Sequence, residues 1–427
     1  MEIKKARRLR GEITPPPDKS ISHRAAMFAS VAEGRSVIRN YLRAGDPLST
    51  LGALRMLGVA VREERNGDVI IEGNGLRGLT EPSNVIDCGN SGTTMRLLSG
   101  IVAANEFFTV LTGDDSLRNR PMKRIIAPLT EMGARISARD GDRYPPIAIR
   151  GGRLKPVTYA LPVASAQVKS CLILAGLLTE GETVVTEPLQ SRDHTERMLA
   201  SMGAAIAVDG LSVSVTGNRE LHPLEMTVPA DFSSAAFLLA AALIVPGSDI
   251  ILKDVGMNPT RTGLIPVLRS MGAIVEVENL REISGEPVAD IRCRTAGGLR
   301  GVTVGAETIP SIIDEFPILC VVATQAGGVT EIRGAGELRI KESDRIRAMV
   351  TELKKLGADI EELHDGVLIR GGKALRGSPV SSHHDHRIAM SLAVAALVAD
   401  GSTVIGDTSC VDISFPGFFD HLSQLRA

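Results

Sequence analysis

Apolar and polar positions along the chain repeat in a helix-then-strand pattern. A glycine directly after an apolar helical stretch is the usual left-handed stop of a helix, and apolar–polar alternation is typical of a half-buried strand. Five phrases combine the two signals, so each predicts a helix end, a tight turn and a strand. They are LRMLGVAV (Leu54–Val61), LTEMGARI (Leu129–Ile136), LASMGAAI (Leu199–Ile206), LRSMGAIV (Leu268–Val275) and LKKLGADI (Leu353–Ile360).

A second helix, rich in alanine, is predicted upstream of each phrase. A glycine turn and a strand such as ETVVTEP (Glu182–Pro188) follow it. Each unit therefore runs helix, strand, helix, strand, strand with a period of roughly 70–85 residues, which is longer than the repeats of solenoid proteins. The pattern favours duplication of a small βαβαββ module. Examples of the alanine-rich helices are His23–Ala32, Ala166–Leu178, Phe232–Val245 and Asp314–Gly327.

The sixth unit lacks its closing strands. It begins at DHRIAMSLAVAALV (Asp385–Val398) and ends in the helix FPGFFDHLSQL (Phe415–Leu425). Residues 1–13 contain a strand-like segment that can fill this gap, which would place the N-terminus in the C-terminal half. The sequence thus predicts an α/β fold of six βαβαββ repeats.

The length of the chain predicts more than one domain. At 427 residues it is too long for one ordinary core, and six repeats divide evenly into two domains of three. We predict an N-terminal domain of residues 15–228 and a C-terminal domain of residues 1–14 plus 229–427. The chain would cross between them near Thr14–Pro17 and Val228–Pro229, where prolines suit stiff hinges.

Composition narrows the classes of partner. Aromatic residues make up 3% of the chain and tryptophan is absent, whereas bases and sugars are commonly bound by aromatic stacking. The formal net charge is only −2, so any positive field must arise from local placement of charge. Nucleic acid and polysaccharide are therefore not expected as partners.

Cysteine spacing and hydropathy predict the compartment. The five cysteines are widely scattered without a metal-ligand spacing and are expected to be free thiols in a reducing environment. The first residues contain no apolar signal segment. The longest apolar run, Ala235–Val245, is far shorter than the roughly 20 residues that a membrane span needs. We expect a cytoplasmic protein with no membrane partner.

Charged clusters at predicted loop-to-helix junctions provide the candidate chemistry. Backbone N–H groups at the start of a helix attract anions, and Arg and Lys side chains strengthen that attraction. Together the clusters predict one concentrated site for small, multiply charged anions. They are Asp18–Arg24 (DKSISHR), Gly89–Arg96 (GNSGTTMR), Arg118–Arg124 (RNRPMKR), Arg192–Arg197 (RDHTER), Lys341–Arg345 (KESDR) and Asp385–Arg387 (DHR).

Each cluster alone has a simpler interpretation. On a helix, Lys341, Glu342 and Arg345 would share one face, and an isolated string of this kind would be a solvated, salt-bridged surface. GNSGTTMR alone would be a tight turn before a helix. Ser191–His194 (SRDH) is a poor nucleophilic triad, because residues so close in sequence rarely converge. Recurrence of charged strings at comparable points of several repeats favours the anion site.

Two further motifs suggest ligands that we do not expect. Gly73–Gly78 (GNGLRG) has the GxGxxG form of a dinucleotide site, but no helix is predicted directly after it. His383–Arg387 (HHDHR) contains possible metal ligands, but adjacent histidines point in different directions. We interpret Asp385 as a helix cap, with His386 and Arg387 on the first turn. No metal is predicted.

Taken in order, the motifs DKSISHR, GNSGTTMR, RNRPMKR, SAQVKS, KESDR and DHR resemble those of the 5-enolpyruvylshikimate-3-phosphate (EPSP) synthase family. The likeness spans nearly the whole chain. It implies a two-domain inside-out α/β barrel with three repeats per domain. It also implies an enzyme without cofactors that transfers the enolpyruvyl group of phosphoenolpyruvate to the 5-hydroxyl of shikimate 3-phosphate and releases phosphate.

The resemblance implies roles for individual residues. Asp314 would take the proton of the 5-hydroxyl, Glu342 would protonate the methylene carbon of phosphoenolpyruvate, and Lys19 would share in these steps. Two phosphates and two carboxylates must be brought together, and cations offset their repulsion. Shikimate 3-phosphate would be held by Lys19, Ser20, Arg24, Ser165, Gln167, Arg192, Asp314 and Lys341. Phosphoenolpyruvate would be held by Lys19, Gly92, Arg120, Gln167, Arg345, His386 and Arg387.

The chain departs from the family pattern at three positions. Ala166 stands where many members have a second serine, so one hydroxyl contact to phosphate is lost. Leu97 replaces a common proline, and Ile413 replaces a lysine that binds phosphate in some members. These changes resemble a subgroup in which tolerance of glyphosate, an inhibitor that occupies the phosphoenolpyruvate site, is sometimes found.

Two other functions stay open at this point. A related enzyme transfers the enolpyruvyl group to UDP-N-acetylglucosamine, but it carries a reactive cysteine on a mobile loop where this chain has Arg118–Arg124. A non-catalytic anion-binding module would share the hinged halves, but it would gain nothing from carboxylates such as Asp314 and Glu342 beside its ligand. A monomer is expected, with glyphosate as an inhibitor.

Overall fold

The computed structural model describes residues 1–295 and 297–426. Its α-helices range in length from four to thirteen residues. In chain order they are α1 (Lys19–Val31), α2 (Gly45–Met56), α3 (Gly92–Ala103), α4 (Lys123–Glu131), α5 (Arg139–Asp142), α6 (Ala166–Leu177), α7 (His194–Ser201), α8 (Phe232–Ile244), α9 (Leu264–Ser270), α10 (Ile309–Ile312), α11 (Phe316–Thr324), α12 (Arg345–Lys355), α13 (His386–Ala396) and α14 (Phe418–Leu425).

The strands are short and form mixed sheets. In chain order they are β1 (Glu2–Lys4), β2 (Arg10–Ile13), β3 (Glu33–Arg39), β4 (Ala60–Glu63), β5 (Val69–Asn74), β6 (Ile86–Asp87), β7 (Phe108–Thr112), β8 (Arg135–Ala138), β9 (Tyr144–Arg150), β10 (Thr158–Ala160), β11 (Glu182–Thr186), β12 (Ala205–Asp209), β13 (Ser212–Thr216), β14 (Glu225–Thr227), β15 (Asp249–Gly256), β16 (Ile274–Ile283), β17 (Glu286–Arg294), β18 (Thr303–Val304), β19 (Val329–Ile332), β20 (Asp359–Leu363), β21 (Gly366–Arg370), β22 (Pro379–Ser381) and β23 (Ser402–Gly406).

The chain divides into two compact units, each with its own hydrophobic core. The N-terminal unit comprises residues 17–228 and 283–285. The C-terminal unit comprises residues 1–16, 229–282 and 286–427.

The N-terminal unit contains three four-stranded sheets, in the orders β14-β3-β5-β4, β6-β7-β9-β8 and β10-β11-β13-β12. In each sheet the first pair of strands is parallel and the other two pairs are antiparallel. Helices α1, α3 and α6 are buried against these sheets, and α3 contacts both other helices. The first repeat takes its opening strand, β14, from the end of the unit, a pairing that the sequence pattern did not predict.

The C-terminal unit repeats this plan around helices α8, α11 and α13, which contact one another. Its sheets have the orders β2-β15-β17-β16, β18-β19-β21-β20 and β1-β23-β22. Strand β2 pairs in parallel with β15, and β1 pairs antiparallel with β23. The first 13 residues thus supply one strand to the fourth sheet and one to the sixth.

Helix capping recurs at the start of the central helices. A side-chain oxygen accepts a hydrogen bond from a backbone N–H in the first turn, which satisfies a donor that the helix leaves unpaired. The caps of α1, α3, α6, α8 and α13 are Asp18, Ser91, Ser165, Asp231 and Asp385.

The predicted glycine stops are confirmed. All five phrases end a helix at a glycine in the left-handed region, and a strand follows within a few residues. At Gly58 (φ 84°), the N–H of the next residue, Val59, returns to the carbonyl of Leu54, which is the bond that closes a left-handed helix end. The other four glycines are Gly133, Gly203, Gly272 and Gly357.

Hydropathy of the helices agrees with their burial. The most apolar helices, α8 and α11, lie in the core of the C-terminal unit. Among residues 1–295 and 297–426, no helix combines the length and the apolar character needed to cross a membrane.

Candidate active site

The first charged cluster surrounds the start of α1. Asp18 caps the helix by accepting from the N–H of Ile21 at 2.8 Å. Directly after this cap, the Lys19 ammonium lies 3.0 Å from a carboxylate oxygen of Asp46, in the first turn of α2. Both side chains are largely buried. Asp46 therefore fixes the position of the candidate catalytic lysine.

Arg24 is held one turn further along α1. Its side chain is buried, and it donates to the Thr195 hydroxyl at 2.8 Å, the Ser170 hydroxyl at 2.9 Å and the Ser20 carbonyl at 3.1 Å. Arg192, just before α7, donates to the Ser20 hydroxyl at 3.4 Å. Three predicted shikimate 3-phosphate residues, Ser20, Arg24 and Arg192, thus form one group.

A second group forms where α3 begins. Ser91 caps the helix at 3.0 Å from the N–H of Thr94. Arg96, on the first turns of α3, donates to the Gln167 side-chain oxygen at 2.6 Å, and the Gln167 amide donates to the Thr93 hydroxyl at 3.0 Å. Gln167 is therefore oriented by two residues of the GNSGTTMR motif.

Arg120 lies against the same turn. It is buried and donates to the side-chain oxygen of Asn90 at 2.7 Å and to the Ser116 hydroxyl at 3.0 Å. A Cβ atom placed on Gly92 would lie 2.9 Å from Nη1 of Arg96 and 3.4 Å from Nη1 of Arg120. A side chain at position 92 would therefore displace at least one guanidinium.

Ser165 caps α6 by accepting from the N–H of Val168 at 3.4 Å. Its hydroxyl proton is left to donate elsewhere, which is compatible with the predicted contact to phosphate. Ala166, one of the departures from the family pattern, is the first residue of α6. A methyl group at this position supplies no hydrogen bond to an anion at the helix start.

The C-terminal unit contains a carboxylate cluster around Arg345. This side chain is 1% exposed and donates to Asp385 at 2.8 Å, to Glu342 at 2.6 Å and to Asp314 at 3.3 Å. Burial disfavours the charged guanidinium, but the three carboxylates more than offset this and hold the pKa of Arg345 above its usual range. Asp314 and Glu342 are 16% and 17% exposed, so both stay accessible to a ligand.

The charged string KESDR lies at a loop-to-helix junction, as predicted, and not on one face of a helix. A 3₁₀-helix ends at Ile340, and α12 begins only at Arg345, with Asp344 as its cap. The string is therefore a helix entry, and Asp344 accepts from the N–H of Arg347 at 3.0 Å. The solvated-surface interpretation also fails because Arg345 is buried. Lys341, at the start of the string, is half-buried.

The predicted cap at Asp385 is confirmed. Asp385 accepts from the N–H of Arg387 at 2.9 Å, and His386 and Arg387 occupy the first turn of α13. Arg387 donates to the Asp314 carbonyl at 3.2 Å, and its Nε lies 3.4 Å from a carboxylate oxygen of the same residue. His386 is 1% exposed. The C-terminal unit thus brings together Asp314, Glu342, Arg345, His386 and Arg387.

The weaker motifs have structural explanations. Strand β5 ends at Asn74 within GNGLRG, and the next helix in this part of the described chain is α3. Ser191 donates its hydroxyl to Glu187 and not to a histidine. His383 contacts Glu352 and His384 contacts Asp407. Within residues 1–295 and 297–426, no three His, Cys, Asp or Glu side chains are arranged to hold a metal ion.

Leu97 and Ile413, the other departures from the family pattern, both serve packing. Leu97 is fully buried in the core of the N-terminal unit, where a proline inside α3 would remove a helix hydrogen bond. Ile413 ends a 3₁₀-helix and packs against the core of the C-terminal unit. The Ile413 side chain has no polar group that could contact phosphate.

Sequence reasoning missed two residues of these groups. Asp46 pairs with Lys19, and Arg96 orients Gln167. Arg96 ends one of the quoted motifs, so a signal existed for it, whereas the start of the helix that contains Asp46 was not predicted. Their partners, however, come from other segments, so the pairing itself could not be read from spacing.

Known proteins match this chain over almost its full length. The family described as EPSP synthase (3-phosphoshikimate 1-carboxyvinyltransferase) matches residues 3–422. The 3-phosphoshikimate 1-carboxyvinyltransferase of Thermodesulfovibrio yellowstonii is 56% identical over 425 residues, which cover 99% of each chain. That of Pelotomaculum thermopropionicum is 52% identical over 425 residues, covering 100% of this chain and 98% of the relative. A solved structure of EPSP synthase from Acinetobacter baumannii has 45% identity and a TM-score of 0.88, covering 99% of this chain and 97% of that chain.

The six-repeat fold, the cations around the starts of α1 and α3 and the carboxylate cluster around Arg345 define an enzyme of the enolpyruvyl transferase class. The chain belongs to the EPSP synthase family. The predicted two-domain fold of six repeats and the predicted enolpyruvyl transfer in the shikimate pathway are thereby confirmed. The UDP-N-acetylglucosamine and non-catalytic alternatives are not favoured.

Proposed function

We propose that this chain transfers the enolpyruvyl group of phosphoenolpyruvate to shikimate 3-phosphate with the groups described above. The observation that carries this proposal is the carboxylate cluster, in which Arg345 holds Asp314 and Glu342 as accessible acids. A site that only binds anions gains nothing from two such carboxylates, whereas a proton-transferring site requires them.

The proposal divides the substrates among the residues named from the family resemblance. Their cations offset the charge of two phosphates and two carboxylates. Shikimate 3-phosphate is assigned to Lys19, Ser20, Arg24, Ser165, Gln167, Arg192, Asp314 and Lys341. Phosphoenolpyruvate is assigned to Lys19, Gly92, Arg120, Gln167, Arg345, His386 and Arg387.

The caps of the central helices decide which helix starts can attract an anion. In the N-terminal unit, α3 and α6 have the neutral caps Ser91 and Ser165, so the partial positive charge of those helix starts is left for a ligand. In the C-terminal unit, α8 and α13 have the acidic caps Asp231 and Asp385, which neutralise it. Helix α1 of the N-terminal unit has an acidic cap as well, Asp18, so in that unit the argument applies to the starts of α3 and α6.

The proposed chemistry is an addition followed by an elimination. Asp314 takes the proton of the 5-hydroxyl as its oxygen bonds to C2 of phosphoenolpyruvate, and Glu342 gives a proton to the methylene carbon, which becomes a methyl group. Loss of a methyl proton and of the phosphate group then restores the double bond. Lys19 is assigned a share in these proton steps.

Metal ions have no assigned role in this chemistry. Lys and Arg side chains supply the electrostatic stabilisation of the charge that develops during addition. We also propose that glyphosate inhibits at the phosphoenolpyruvate site, that the chain is a monomer, and that it acts in the cytoplasm. The five cysteines support that compartment, because all are buried free thiols.

We propose that the two compact units act as domains with boundaries at residues 14/15 and 228/229. Support comes from the division of compact contacts at Pro16–Pro17 and Val228–Pro229. Prolines at both positions limit the backbone conformations available to the connections.

Phosphate release tests the proposed reaction. The protein is incubated with phosphoenolpyruvate plus shikimate 3-phosphate, and separately with phosphoenolpyruvate plus UDP-N-acetylglucosamine, each with and without a strong chelator. We expect release only with shikimate 3-phosphate, at the same rate in chelator. Release with the UDP-sugar alone would overturn the proposed acceptor. Loss of activity in chelator, with recovery on adding a divalent ion, would overturn the proposed metal-free chemistry.

A further inference from the structure

The loop that leads into α13 has a strained backbone. His383 and His384 are consecutive residues with φ values of 53° and 55°. The left-handed region is unfavourable for residues with a Cβ, and it is rarely occupied by two in a row. The next residue, Asp385, is the cap of α13 and a partner of Arg345. The strain therefore lies directly beside the residues assigned to phosphoenolpyruvate.

Several contacts hold the loop in this conformation. The Ser382 hydroxyl donates to the Asp407 carbonyl at 2.7 Å and accepts from the N–H of His384 at 3.1 Å. The His384 ring lies against the Asp407 carboxylate. The N–H of Asp385 returns to the Ser382 carbonyl at 3.0 Å. These contacts fix the side of the loop that faces the segment after β23.

Glu352 holds the other side of the loop. It lies on α12, its side chain is 1% exposed, and it contacts His383 Nε2 at 2.8 Å. It also accepts from the N–H of Ser381 at 2.9 Å and from the Lys355 ammonium at 2.8 and 2.9 Å. Burial alone would raise the pKa of Glu352, but these hydrogen bonds lower it below the usual range. A buried, ionised carboxylate is therefore bonded directly to the strained segment.

Helix α12 thus contacts the residues before α13 from two positions. Its first residue, Arg345, binds the cap Asp385 at 2.8 Å. Two turns later, Glu352 contacts two residues of the loop, Ser381 and His383. Loss of the Glu352 contacts would release the loop from α12 at Ser381 and His383, which favours relaxation of its strained backbone.

We propose that Glu352 is a positioning residue for the reaction. It acts through the loop of residues 381–384 and sets the orientation of His386 and Arg387 toward phosphoenolpyruvate. This inference rests on the proposed assignment of these two residues to phosphoenolpyruvate. It predicts a selective effect, because the shikimate 3-phosphate contacts assigned to Arg24 and Arg192 belong to other elements.

The test compares three variants of the full-length protein. Glu352→Gln removes the charge at nearly constant volume. His383→Ala removes the imidazole contact and leaves the backbone strain in place, and it folds more readily because His383 is 36% exposed at its side chain. Lys354→Met is the matched control, because it changes an exposed lysine in the same turn of α12 and keeps the Lys355 contact to Glu352. The readouts are steady-state kinetics for each substrate and hydrogen–deuterium exchange of the peptide covering residues 381–388.

We expect Glu352→Gln to raise the KM for phosphoenolpyruvate about tenfold, the order that accompanies loss of one charged hydrogen bond. His383→Ala should raise it in the same direction. The KM for shikimate 3-phosphate should stay within about twofold in both variants. In Lys354→Met the KM should stay within about twofold for both substrates, as expected for an exposed side chain away from the loop. Exchange in residues 381–388 should accelerate in the first two variants only.

Three results would overturn the proposal. Unchanged exchange in both Glu352→Gln and His383→Ala would show that Glu352 does not hold the loop. Faster exchange with an unchanged KM for phosphoenolpyruvate, or an equal rise in both KM values, would reduce Glu352 to a purely structural residue. If Arg387→Gln also leaves the KM for phosphoenolpyruvate unchanged, the assignment of α13 to this substrate fails, which is a failure of the proposed function itself.

Discussion

Arg345 shows how one buried cation can organise a reaction site. Three carboxylates from three separate segments meet its guanidinium: Asp314, Glu342 and Asp385. Asp385 is fully buried and serves as a cap, whereas the other two remain partly exposed. A buried pair loses much stability when one partner is removed. Because Arg345 has three partners, loss of one exposed carboxylate leaves it with two.

The first prediction follows from this redundancy. Asp314→Asn and Glu342→Gln should each lower kcat by on the order of a hundredfold, the range typical of general acid–base groups. The KM values should change little, and the thermal midpoint should fall only slightly, because Arg345 keeps two carboxylates. Steady-state kinetics and calorimetry measure both quantities. Near-normal kcat in both variants would reject the acid–base assignment.

The second prediction concerns Gly92. A methyl group here would lie 2.9 Å from Nη1 of Arg96 and 3.4 Å from Nη1 of Arg120, so Gly92→Ala must displace a guanidinium as well as narrow the ligand space. Both atoms are the far ends of flexible side chains, which can move aside, so the main expected effect is on the space beside this turn. Glyphosate is slightly longer than phosphoenolpyruvate. Its inhibition constant should therefore rise by a larger factor than the KM for phosphoenolpyruvate.

The second prediction is tested by comparing the rise in the inhibition constant for glyphosate with the rise in the KM for phosphoenolpyruvate. Equal factors for inhibitor and substrate would show that Gly92 does not limit the space for the ligand. As a control, Gly52→Ala places a methyl group in open space on α2, and both constants should stay near their original values.

At the residue scale, the sequence predicted the charged side chains but not their partners. Lys19 and Arg345 stand out because cations recur at helix starts. Asp46, which pairs with Lys19, lies 27 positions away, and Asp385 lies 40 positions from Arg345. Spacing within one string therefore indicates where a helix begins, as at KESDR, but not which distant carboxylates its arginine binds.

At the scale of elements, the glycine after each short helix is the clearest signal in the sequence of where that helix ends. Gly357 has a φ of 87° and nothing within 4 Å of an added Cβ, whereas a Cβ on Gly58 (φ 84°) would lie 2.4 Å from the Thr80 hydroxyl. The two positions therefore separate backbone strain from steric overlap. Both effects act on the same structural motif, a left-handed helix end before a strand.

The third prediction uses this matched pair. Gly357→Ala should cost about 1 kcal/mol of unfolding free energy, from the left-handed backbone alone. Gly58→Ala should cost about 1–3 kcal/mol more, because Thr80 must move. Denaturant unfolding of each variant measures the difference. Equal losses in the two variants would contradict the steric account of position 58.

Elements were predicted well where the pattern is local and poorly where pairing is distant. The alanine-rich helices and glycine stops follow from periodicity, so their positions agree with α1, α6, α8 and α11. The opening strand of the first repeat, β14, pairs with β3 although residues 225–227 lie about 190 positions away. No local signal in the sequence specifies a partner at that separation.

At the scale of the whole molecule, the start of the chain belongs to the C-terminal unit. Strand β1 pairs with β23, and the N-terminal ammonium donates to the Ile405 carbonyl at 2.9 Å. Strand β2 pairs with β15. Residues 1–16 thus complete two sheets of a unit whose other residues begin at Pro229.

The fourth prediction is that deleting residues 1–8 destabilises one unit selectively. Loss of β1 exposes the edge of β23, so hydrogen exchange should accelerate in residues 402–406 and in the adjacent α13. Exchange in the sheets of the N-terminal unit should stay unchanged. Equal acceleration in both units would contradict the assignment of the N-terminal segment to the C-terminal unit.

The central claim is that this site transfers protons to and from phosphoenolpyruvate, with Glu342 as the group that protonates the methylene carbon. The most direct measurement is the reaction run in D₂O with shikimate 3-phosphate, followed by NMR of the methylene group in the product. Addition would deliver deuterium to that carbon, and elimination would retain it in part of the product. We predict deuterium in the product of the unmodified enzyme and a loss of incorporation, on the order of a hundredfold in rate, in Glu342→Gln. Full turnover without deuterium, or incorporation by Glu342→Gln at the original rate, would contradict the account.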